Sequence, residues 1–208
     1  MVNTREQIVD AAEVLFAENG YNGTSLRQIT ERAGANIAAV NYHFGSKENL
    51  LIEILDRVVV PINARRLVLL DDLEHQGKPD IRQVLEAFLL PDLRTLKELR
   101  QRNPALPRFV ARMYSENTEL MRPIMGQQFE TIGRRFGSAI ATALPHLSAE
   151  EIGWRLQCIV GIVIYLFASI TLPGASSMVG DNTEADLERL LAITVPMMTA
   201  PSREVATR

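Results

Sequence analysis

The 208-residue chain is 47% hydrophobic and 23% charged, and its formal net charge is −3. This composition excludes a disordered chain and suffices for one ordinary domain, or for a small domain joined to a larger one. A single cysteine, Cys158, excludes a disulfide framework. Because the first residues start an amphipathic helix rather than a charged-then-apolar leader, we expect a cytoplasmic protein.

The first predicted element is a helix that ends at Asn19-Gly20. Thr4 is its expected N-cap, and Gln7 stands three residues on as the capping-box partner. The apolar positions of this helix recur at helical spacing: Ile8, Ala12, Leu15 and Phe16. This spacing predicts a helix with one buried face.

Two short helix patterns follow, joined by a glycine. The segment Gly23-Thr24-Ser25 caps the first of them, whose apolar stripe is Leu26, Ile29 and Ala33. Gly34 supplies a sharp turn, and Asn36 is the expected N-cap of the second helix. The pattern is typical of a helix-turn-helix.

The second short helix is predicted to have an inward and an outward side. Its inward stripe would be Ile37, Val40 and Phe44. The outward residues are small, hydrogen-bonding or aromatic: Ala38, Ala39, Asn41, Tyr42 and His43. Such residues suit a helix laid into the major groove of DNA. Ala38 and Ala39 would either contact thymine methyl groups or be small merely to let the helix approach.

In the first 50 residues, the positions of the charged side chains indicate more about function than their net charge does. That segment carries four Lys or Arg against six Asp or Glu. Four of the acidic residues lie on the first helix, whereas Arg27, His43 and Lys47 belong to the helix-turn-helix region. Binding scales with the phosphates that are neutralised, so a few contacts from this region can suffice.

The rest of the chain is predicted to be helical. Ser46 caps a long helix that Pro61 is expected to kink or break, and a loop follows at 76–80. Further helices are predicted at 81–101, 105–117, 118–143, 148–172 and 183–199. No alternating strand pattern is present in the sequence, so the predicted fold class is all-α.

One uncharged stretch, Leu156 to Gly180, raises the question of a membrane span. A spanning helix needs about 20 apolar residues. Pro173-Gly174 ends this helix after about 17 residues, short of that length. We therefore expect a helix buried on all sides and no membrane association.

Four segments in fixed order resemble the DNA-binding domain of the TetR family of transcriptional repressors. They are Ile8 to Gly20, Thr24 to Ile29, Ala33-Gly34, and Tyr42 to Glu48. The resemblance implies an N-terminal three-helix helix-turn-helix domain at residues 1–48 and a helical ligand-binding and dimerisation domain at 49–208. It implies that the DNA-binding residues are Thr24, Ser25, Arg27, Asn36, Ala38, Ala39, Asn41, Tyr42, His43 and Lys47.

The recognition helix departs from the family pattern at one place. Many members carry Tyr one residue after the inward Leu, where it touches the DNA backbone. Here Asn41 follows Val40, and Tyr42 comes one place later. Since Asn can bond adenine N6 and N7 together, both Asn41 and Tyr42 remain candidates for reading a base.

Three further segments, Asn36 to Lys47, Arg66 to Glu74 and the helix from Trp154 to Phe167, resemble less specifically a PsrA-like subgroup that responds to fatty acids or related lipids. Met and aromatic side chains suit an adaptable apolar pocket, and the candidate ligand-binding residues are Phe88, Phe109, Met113, Met121, Met125, Phe129, Trp154 and Cys158. The alternative is that each packs an ordinary core. Arg108 or Arg112 is a candidate partner for a lipid carboxylate, or part of a solvated face.

The predicted function is regulation of transcription rather than catalysis. No catalytic or metal-binding motif is present, and His43, His75 and His146 fall in different elements. We expect a repressor without a cofactor or metal. It would bind a pseudo-palindromic double-stranded operator as a homodimer through helices 148–172 and 183–199, and a small hydrophobic effector would release it. The alternatives are a helical lipid-binding or enzymatic domain with an incidental N-terminal match, and a DNA-binding protein without a ligand.

Overall fold

The computed structural model describes residues 3–116, 118–168 and 179–201, except that the side chains of 114–129 lie outside the description. The described residues form nine helices and no strand, which confirms the all-α prediction. The helices are α1 (Thr4–Asn19), α2 (Leu26–Ala33), α3 (Ile37–His43), α4 (Lys47–Gln76), α5 (Ile81–Arg102), α6 (Leu106–Glu116), α7 (Thr118–Ala143), α8 (Ala149–Ala168) and α9 (Thr183–Thr199).

Polar side chains begin most of the N-terminal helices. Ser25 and Gln28 form a full capping box on α2, and the Asn36 side chain accepts a hydrogen bond from the Ala39 N–H at the start of α3. The predicted N-cap of α1, Thr4, was wrong by one residue. Asn3 is its N-cap and Thr4 is already helical, because the Asn3 side chain accepts from the Arg5 N–H. An Asn oxygen serves this role as well as Thr does.

Pro61 does not break α4, which runs continuously from Lys47 to Gln76. A proline inside a helix removes one backbone donor, which costs about 3 kcal/mol. The apolar residues on both sides of Pro61, including Val58 and Ile62, are buried. Their burial offsets the lost hydrogen bond, since each buried side chain contributes about 1.5–3 kcal/mol.

Two hydrophobic clusters organise the helices. The N-terminal cluster is formed by α1, α2, α3 and the first turns of α4, and two side chains of α6, Phe109 and Met113, complete it. The C-terminal cluster is formed by the second half of α4 together with α5 to α9. Because α4 and α6 contribute to both clusters, these two helices connect the N-terminal helices to the rest of the molecule.

Helix α8 is apolar but is not buried on all sides, contrary to the prediction. Ile159 and Val163 lie in the core, whereas Trp154 is 63% exposed and Tyr165 is 47% exposed. Among the described residues, α8 is the one helix long and apolar enough to cross a bilayer by length and composition. Its mean hydropathy is 1.5, and 39% of the stretch is buried in the structure. Residues 169–172, assigned to this helix from the sequence, lie outside the described residues.

Helix α9 packs mainly against α5. Leu187, Leu191 and Met198 face that interior, and Leu191 is fully buried. Most of the stripe expected to meet a second copy of the chain is therefore covered within one copy. Ile193, which is 60% exposed, stays on the outer side of α9.

Candidate nucleic-acid interface and internal cavity

Local sequence sets the angle between α2 and α3. Gly34 ends α2 with φ +62° and ψ +30°, in the left-handed region, and its N–H donates to the carbonyls of Thr30 and Glu31. A residue with a Cβ has a conformational cost there, so glycine fits the turn. Asn36 then caps α3, so two short capped helices meet at a fixed turn.

Helix α3 is held by two buried anchors. Val40 and Phe44 lie in the N-terminal cluster, and Ala39 packs against that cluster half-buried. Ile37, expected to point inward, is 48% exposed. It follows the N-cap directly, at the end of α3 where the cluster no longer covers the helix. The inward side therefore consists of Ala39, Val40 and Phe44, and Ala39 moves away from the predicted outward set.

The outward side of α3 carries Ala38, Asn41 and Tyr42, all exposed. Tyr42 is 85% exposed, and its ring stands edge-on to that of His43 at 5.0 Å between centroids. His43 is half-buried beneath it. Ile37 joins this surface as an apolar residue that the sequence assigned to the core. Its position immediately after the N-cap was the signal that could have identified it.

The predicted DNA-binding residues between α1 and α3 divide into exposed and buried members. Ser25 and Arg27, at the start of α2, and Asn36, the N-cap of α3, are exposed. Thr24, predicted to bind DNA, is buried. Its hydroxyl donates to the carbonyls of Leu15 at 3.1 Å and Gly20 at 2.9 Å. The Thr24 side chain therefore stabilises the turn between α1 and α2 and is too buried to contact DNA as predicted.

Lys47, at the start of α4, is tied to Tyr21. Its Nζ donates to the Tyr21 carbonyl at 2.6 Å and lies 4.1 Å from the centre of the Tyr21 ring. Partial burial lowers the pKa of Lys47. An ammonium group has three donors, so this hydrogen bond positions Lys47 and leaves it capable of a further contact.

The Tyr21 hydroxyl donates to Glu48 Oε1 at 3.0 Å. Burial, with the Glu48 hydrogen bond and charge, raises the pKa of Tyr21 to about 12. Hydrogen bonds from the Glu48 backbone, Tyr21 and Ser46 lower the pKa of Glu48. The cluster of Tyr21, Lys47 and Glu48 joins the α1–α2 turn to the start of α4 and was not expected from the sequence.

Two adjoining cavities lie between α4, α5, α6, α7 and α8. The first is about 50 Å³ and the second about 60 Å³, and both are mainly apolar. Four residues line both cavities: Ile62, Arg66, Asp92 and Val160. The polar centre of this space is thus an arginine and a carboxylate.

Arg66 and Asp92 form a buried ion pair, each side chain only 10% exposed. Arg66 Nη2 donates to Asp92 Oδ2, Nη1 donates to Asn63 Oδ1 at 3.0 Å, and Nε donates to the Phe88 carbonyl at 2.9 Å. The guanidinium also lies 4.0 Å from the centre of the Phe88 ring. Burial raises the pKa of Asp92 in spite of Arg66. The sequence signal that could have identified this buried pair is the position of Asp92, a carboxylate within an apolar stripe, four residues after Phe88 and four before Leu96.

The structure does not bring the candidate ligand residues together. Phe88 lines the second cavity, whereas Phe109 and Met113 lie in the N-terminal cluster. Trp154 is exposed on α8, and Cys158 is half-buried and lines neither cavity. The side chains of Met121, Met125 and Phe129 lie outside the described residues. The common apolar character of these residues was therefore not evidence of a common site.

Helix α6 faces three environments. Phe109 and Met113 enter the N-terminal cluster, and Val110 and Ala111 line the first cavity. Arg108 and Arg112 are exposed. Helix α6 therefore contacts the cavity, the N-terminal cluster and solvent.

An ion pair reinforces the contact between the N-terminal helices and α5. Arg102 Nη2 at the end of α5 lies 2.5 Å from Glu13 Oε1 on α1. The Glu13 side chain is 8% exposed, whereas that of Arg102 is 56% exposed. Removing Arg102 would leave a nearly buried carboxylate unpaired. In the part of the chain that the structure describes, no group of three or more His, Cys, Asp or Glu side chains could hold a metal ion.

The capped helix-turn-helix of α2 and α3, carried by a bundle of helices, places the protein in the class of helix-turn-helix proteins. Residues 8–54 match the family described as bacterial regulatory proteins, tetR family. Residues 86–200 match the tetracyclin repressor-like C-terminal domain. The chain belongs to the TetR family.

Two curated relatives illustrate the sequence similarity. The chain is 40% identical over 52 residues to the HTH-type transcriptional repressor AcnR of Corynebacterium glutamicum, which is 25% of this chain and 28% of AcnR. It is 32% identical over 112 residues to the HTH-type transcriptional dual regulator CecR of Shigella flexneri, which is 52% of this chain and 50% of CecR. The chain thus spans between about a quarter and a half of the length of these relatives.

Two solved structures illustrate the similarity in fold. The TetR family transcriptional regulator PfmR from Thermus thermophilus matches with a TM-score of 0.65 at 18% identity, over 98% of this chain and 100% of PfmR. The fatty acid degradation regulator FadR from Bacillus halodurans matches with a TM-score of 0.61 at 16% identity, over 95% of this chain and 99% of FadR. At these identities the similarity concerns the fold.

Proposed function

We propose that the protein is a homodimeric, cytoplasmic transcriptional repressor that binds a pseudo-palindromic operator through α3 and releases it when a small hydrophobic effector occupies the helical domain. One observation carries the DNA-binding part. Val40 and Phe44 fix α3 to the N-terminal cluster, while Ile37, Asn41 and Tyr42 are exposed on its other side. A short helix that is anchored on one side and exposed on the other can enter a major groove.

Each exposed residue has a proposed role. Asn41 bonds an adenine edge, and Ile37 and Ala38 contact thymine methyl groups. Phosphate contacts come from residues that flank this surface: Ser25, Arg27, Asn36, Tyr42, His43 and Lys47. We propose residues 1–48 as the DNA-binding domain and residues 49–208 as the effector and dimerisation domain, with α4 and α6 joining them.

The DNA-binding proposal is tested with an operator selected from random double-stranded DNA at fixed salt. Asn41→Ala should weaken binding to that operator by about 1–3 kcal/mol and leave binding to scrambled DNA nearly unchanged. Gln101→Ala, on an exposed position of α5, is the matched control. Failure to select any sequence at low salt would contradict the proposal, and an equal loss on both DNAs would make Asn41 a positioning residue.

Lys47→Gln tests the phosphate contacts in the same assay. A phosphate contact carries no sequence information, so binding to operator and scrambled DNA should weaken alike. The slope of log K against log salt should fall by about one unit per monomer. Since Lys47 also holds the Tyr21 carbonyl, the free energy of unfolding of this variant should be measured beside its affinity.

The proposed dimer uses the outer faces of α8 and α9. These faces leave Trp154, Tyr165 and Ile193 exposed, and Gly161 lies between the first two on α8. An obligate dimer would bury about 1,500 Å² or more in total. Two-fold symmetry would place the two α3 helices about one turn of DNA apart.

The proposed effector site is the space around the Arg66–Asp92 pair. Cavities of 50 and 60 Å³ are far smaller than the ~300–1,000 Å³ of ligand sites. An effector would therefore have to move the surrounding helices apart, and α6 would carry Phe109 and Met113 with it. Such coupling between two sites is typically about 1–3 kcal/mol. Fatty acids and acyl derivatives are the first candidates.

The effector proposal is tested by titrating fatty acids and acyl-CoAs into the protein–operator complex. Val160 lines both cavities, so Val160→Phe should fill them, weaken release and leave operator affinity unchanged. Arg94→Phe, on an exposed position of α5 that lines neither cavity, is the control. If no hydrophobic molecule released the DNA, the protein would be a DNA-binding protein without a ligand.

A further inference from the structure

The exposed surface of α3 carries no strongly acidic or basic side chain. The sequence has no Lys, Arg, Asp or Glu between Arg32 and Lys47, a stretch that contains the whole of α3. The side chains that α3 exposes are those of Ile37, Ala38, Asn41 and Tyr42. A DNA duplex that lies against this surface therefore meets aliphatic groups, one amide and one phenol.

The absence of these charged side chains from α3 restricts the bases that this helix can read. Guanine is most often bound by Arg or Lys at O6 and N7, and cytosine by Asp or Glu at its N4 amine. Helix α3 offers neither contact. Asn41 fits adenine, whose N7 accepts and whose N6 donates, whereas Ile37 and Ala38 fit the methyl group of thymine. The surface of α3 therefore suits A·T base pairs.

Ile37 is the larger of the two aliphatic side chains on this surface, and its position is fixed. It is 48% exposed and belongs to neither hydrophobic cluster. Asn36 Oδ1 accepts from the Ala39 N–H at 2.8 Å, and Val40 is fully buried, so the rotation of α3 about its axis is set. A β-branched side chain in a helix keeps mostly one rotamer. Ile37 therefore loses little side-chain entropy when another group covers it.

Ile37 and Asn41 are four residues apart, so they are neighbours along one side of α3. Their Cβ atoms are expected to lie about 5–6 Å apart. Successive base pairs are separated by about 3.4 Å. The two side chains would therefore meet base pairs that are one or two steps apart in the same major groove.

The Ile37 side chain can detect one feature of a pyrimidine, its methyl group. In the major groove, thymine differs from cytosine both by its O4 acceptor and by the methyl group on C5. Ile37 has only carbon and hydrogen in its side chain and forms no hydrogen bond with O4 or N4. Uracil keeps O4 but lacks the methyl group, whereas 5-methylcytosine carries the methyl group at the same ring position as thymine. The contact therefore depends on the methyl group and not on the base that bears it.

We propose that α3 recognises the C5 methyl group of a pyrimidine close to an adenine, and that Ile37 is the side chain that contacts this methyl group. This proposal rests on the proposed binding of operator DNA through α3, and it adds the chemical group that is read. Thymine supplies the group in unmodified DNA, and 5-methylcytosine supplies it in methylated DNA. Methylation of a cytosine at this position of an operator therefore strengthens binding.

The test compares operator duplexes that differ by one methyl group at one position. Each thymine of the selected half-site is replaced in turn by uracil, with both half-sites changed together. At the position that Ile37 contacts, binding should weaken about fourfold per half-site, which corresponds to about 0.8 kcal/mol. Cytosine and 5-methylcytosine are then placed at that position, both opposite guanine. The duplex with 5-methylcytosine should bind more tightly than the duplex with cytosine by a similar factor.

Ile37→Ala tests whether Ile37 is the side chain that contacts the methyl group. In this variant the thymine and uracil duplexes should bind alike, because the interaction between the side chain and the methyl group is removed. Val68→Ala is the matched control. It shortens an aliphatic side chain that is 59% exposed on α4, and it should keep the preference for thymine. Thermal melting of both variants checks the fold, and the uracil scan on the unaltered protein does not depend on either variant.

The outcomes separate this proposal from the proposed function. If no thymine of the half-site responds to uracil, or if Ile37→Ala keeps the preference for thymine, recognition of the methyl group by Ile37 is wrong. Equal binding of the cytosine and 5-methylcytosine duplexes would also overturn it. In each of these cases, a selective loss in Asn41→Ala would still support operator binding through α3. If no operator can be selected at all, the proposed function itself fails.

Discussion

Asp92 is a carboxylate in the apolar centre of the helical domain, and it is tolerated there because Arg66 is fixed beside it. Three acceptors and the Phe88 ring hold the Arg66 guanidinium, so the pair is organised before any ligand arrives. Burying a charge without a partner is costly. The pair therefore behaves as a unit, and changing one member is expected to be worse than changing both.

Asp92→Ala should lower the free energy of unfolding by about 3–5 kcal/mol, because it leaves the Arg66 charge buried and unpaired. The double variant Arg66→Met with Asp92→Leu should recover most of that loss. Urea denaturation at pH 7 measures both. If the double variant were no more stable than Asp92→Ala, the cost would lie in packing rather than in the unpaired charge.

The Tyr21 hydroxyl is expected to titrate above the ordinary range of a tyrosine. Its folded pKa is about 12 against an ordinary 10.0, because of burial and Glu48. A raised folded pKa means that the associated stabilisation is complete below pH 10 and is lost as the pH rises toward 12. Ultraviolet titration of the phenolates should show a late phase that Tyr21→Phe removes. A late phase that persists in that variant would belong to another tyrosine.

At the turn between α2 and α3, one residue sets the geometry of two helices. Gly34→Ala should destabilise the protein by about 1 kcal/mol, because an L side chain is strained at φ +62°. No atom lies within 4 Å of the added Cβ, so the cost is conformational rather than a clash.

Gly137→Ala on α7 is the opposite case. It is helical, and its added Cβ also meets nothing within 4 Å. This change should stabilise the protein by about 0.5–1 kcal/mol, since alanine loses less entropy in a helix. Thermal or urea unfolding of the two variants should give shifts of opposite sign. Equal signs would mean that the Gly34 turn adjusts its backbone.

The helices α2 and α3 also show which features could be predicted from the sequence. Caps and spacing predicted α2, the Gly34 turn and α3, because these depend on neighbours within a few residues. The assignments of Ile37 and Ala39 were wrong, since a seven-residue helix has too few positions to fix its rotation. Thr24 was predicted to bind DNA, because the carbonyls to which its hydroxyl donates cannot be identified from a linear pattern.

The sequence showed which helix faces are apolar but not which neighbouring element covers each of them. Leu191 lies in an apolar stripe that could equally meet α5 or a second copy, and in the structure it meets the interior. Arg66 and Asp92 are 26 residues apart, and their pairing depends on how α4 lies against α5. Such long-range choices are not encoded in local periodicity.

Two substitutions on α9 should separate assembly from folding. Ile193→Arg changes an exposed side chain and should dissociate the proposed dimer into folded monomers. Leu191→Arg places a charge in the core and should unfold the chain. Ile162→Arg, at a half-buried position on α8, should weaken the dimer and also destabilise the fold. Sedimentation at micromolar concentration, with circular dichroism of each variant, is the measurement. A wild-type chain that sediments as a monomer would remove the dimer and the operator spacing built on it.

The paired cavities also have a volumetric consequence. A space of 50 or 60 Å³ per molecule corresponds to about 30 mL/mol for each cavity, and the contraction on unfolding scales with the internal volume that is lost. Typical unfolding contracts a protein solution by about 20–100 mL/mol, so these two spaces are a substantial part of the total. Hydrostatic pressure should therefore unfold the free protein readily. A ligand that filled the cavities, or Val160→Phe, should make the protein more resistant to compression even where its thermal stability hardly changes.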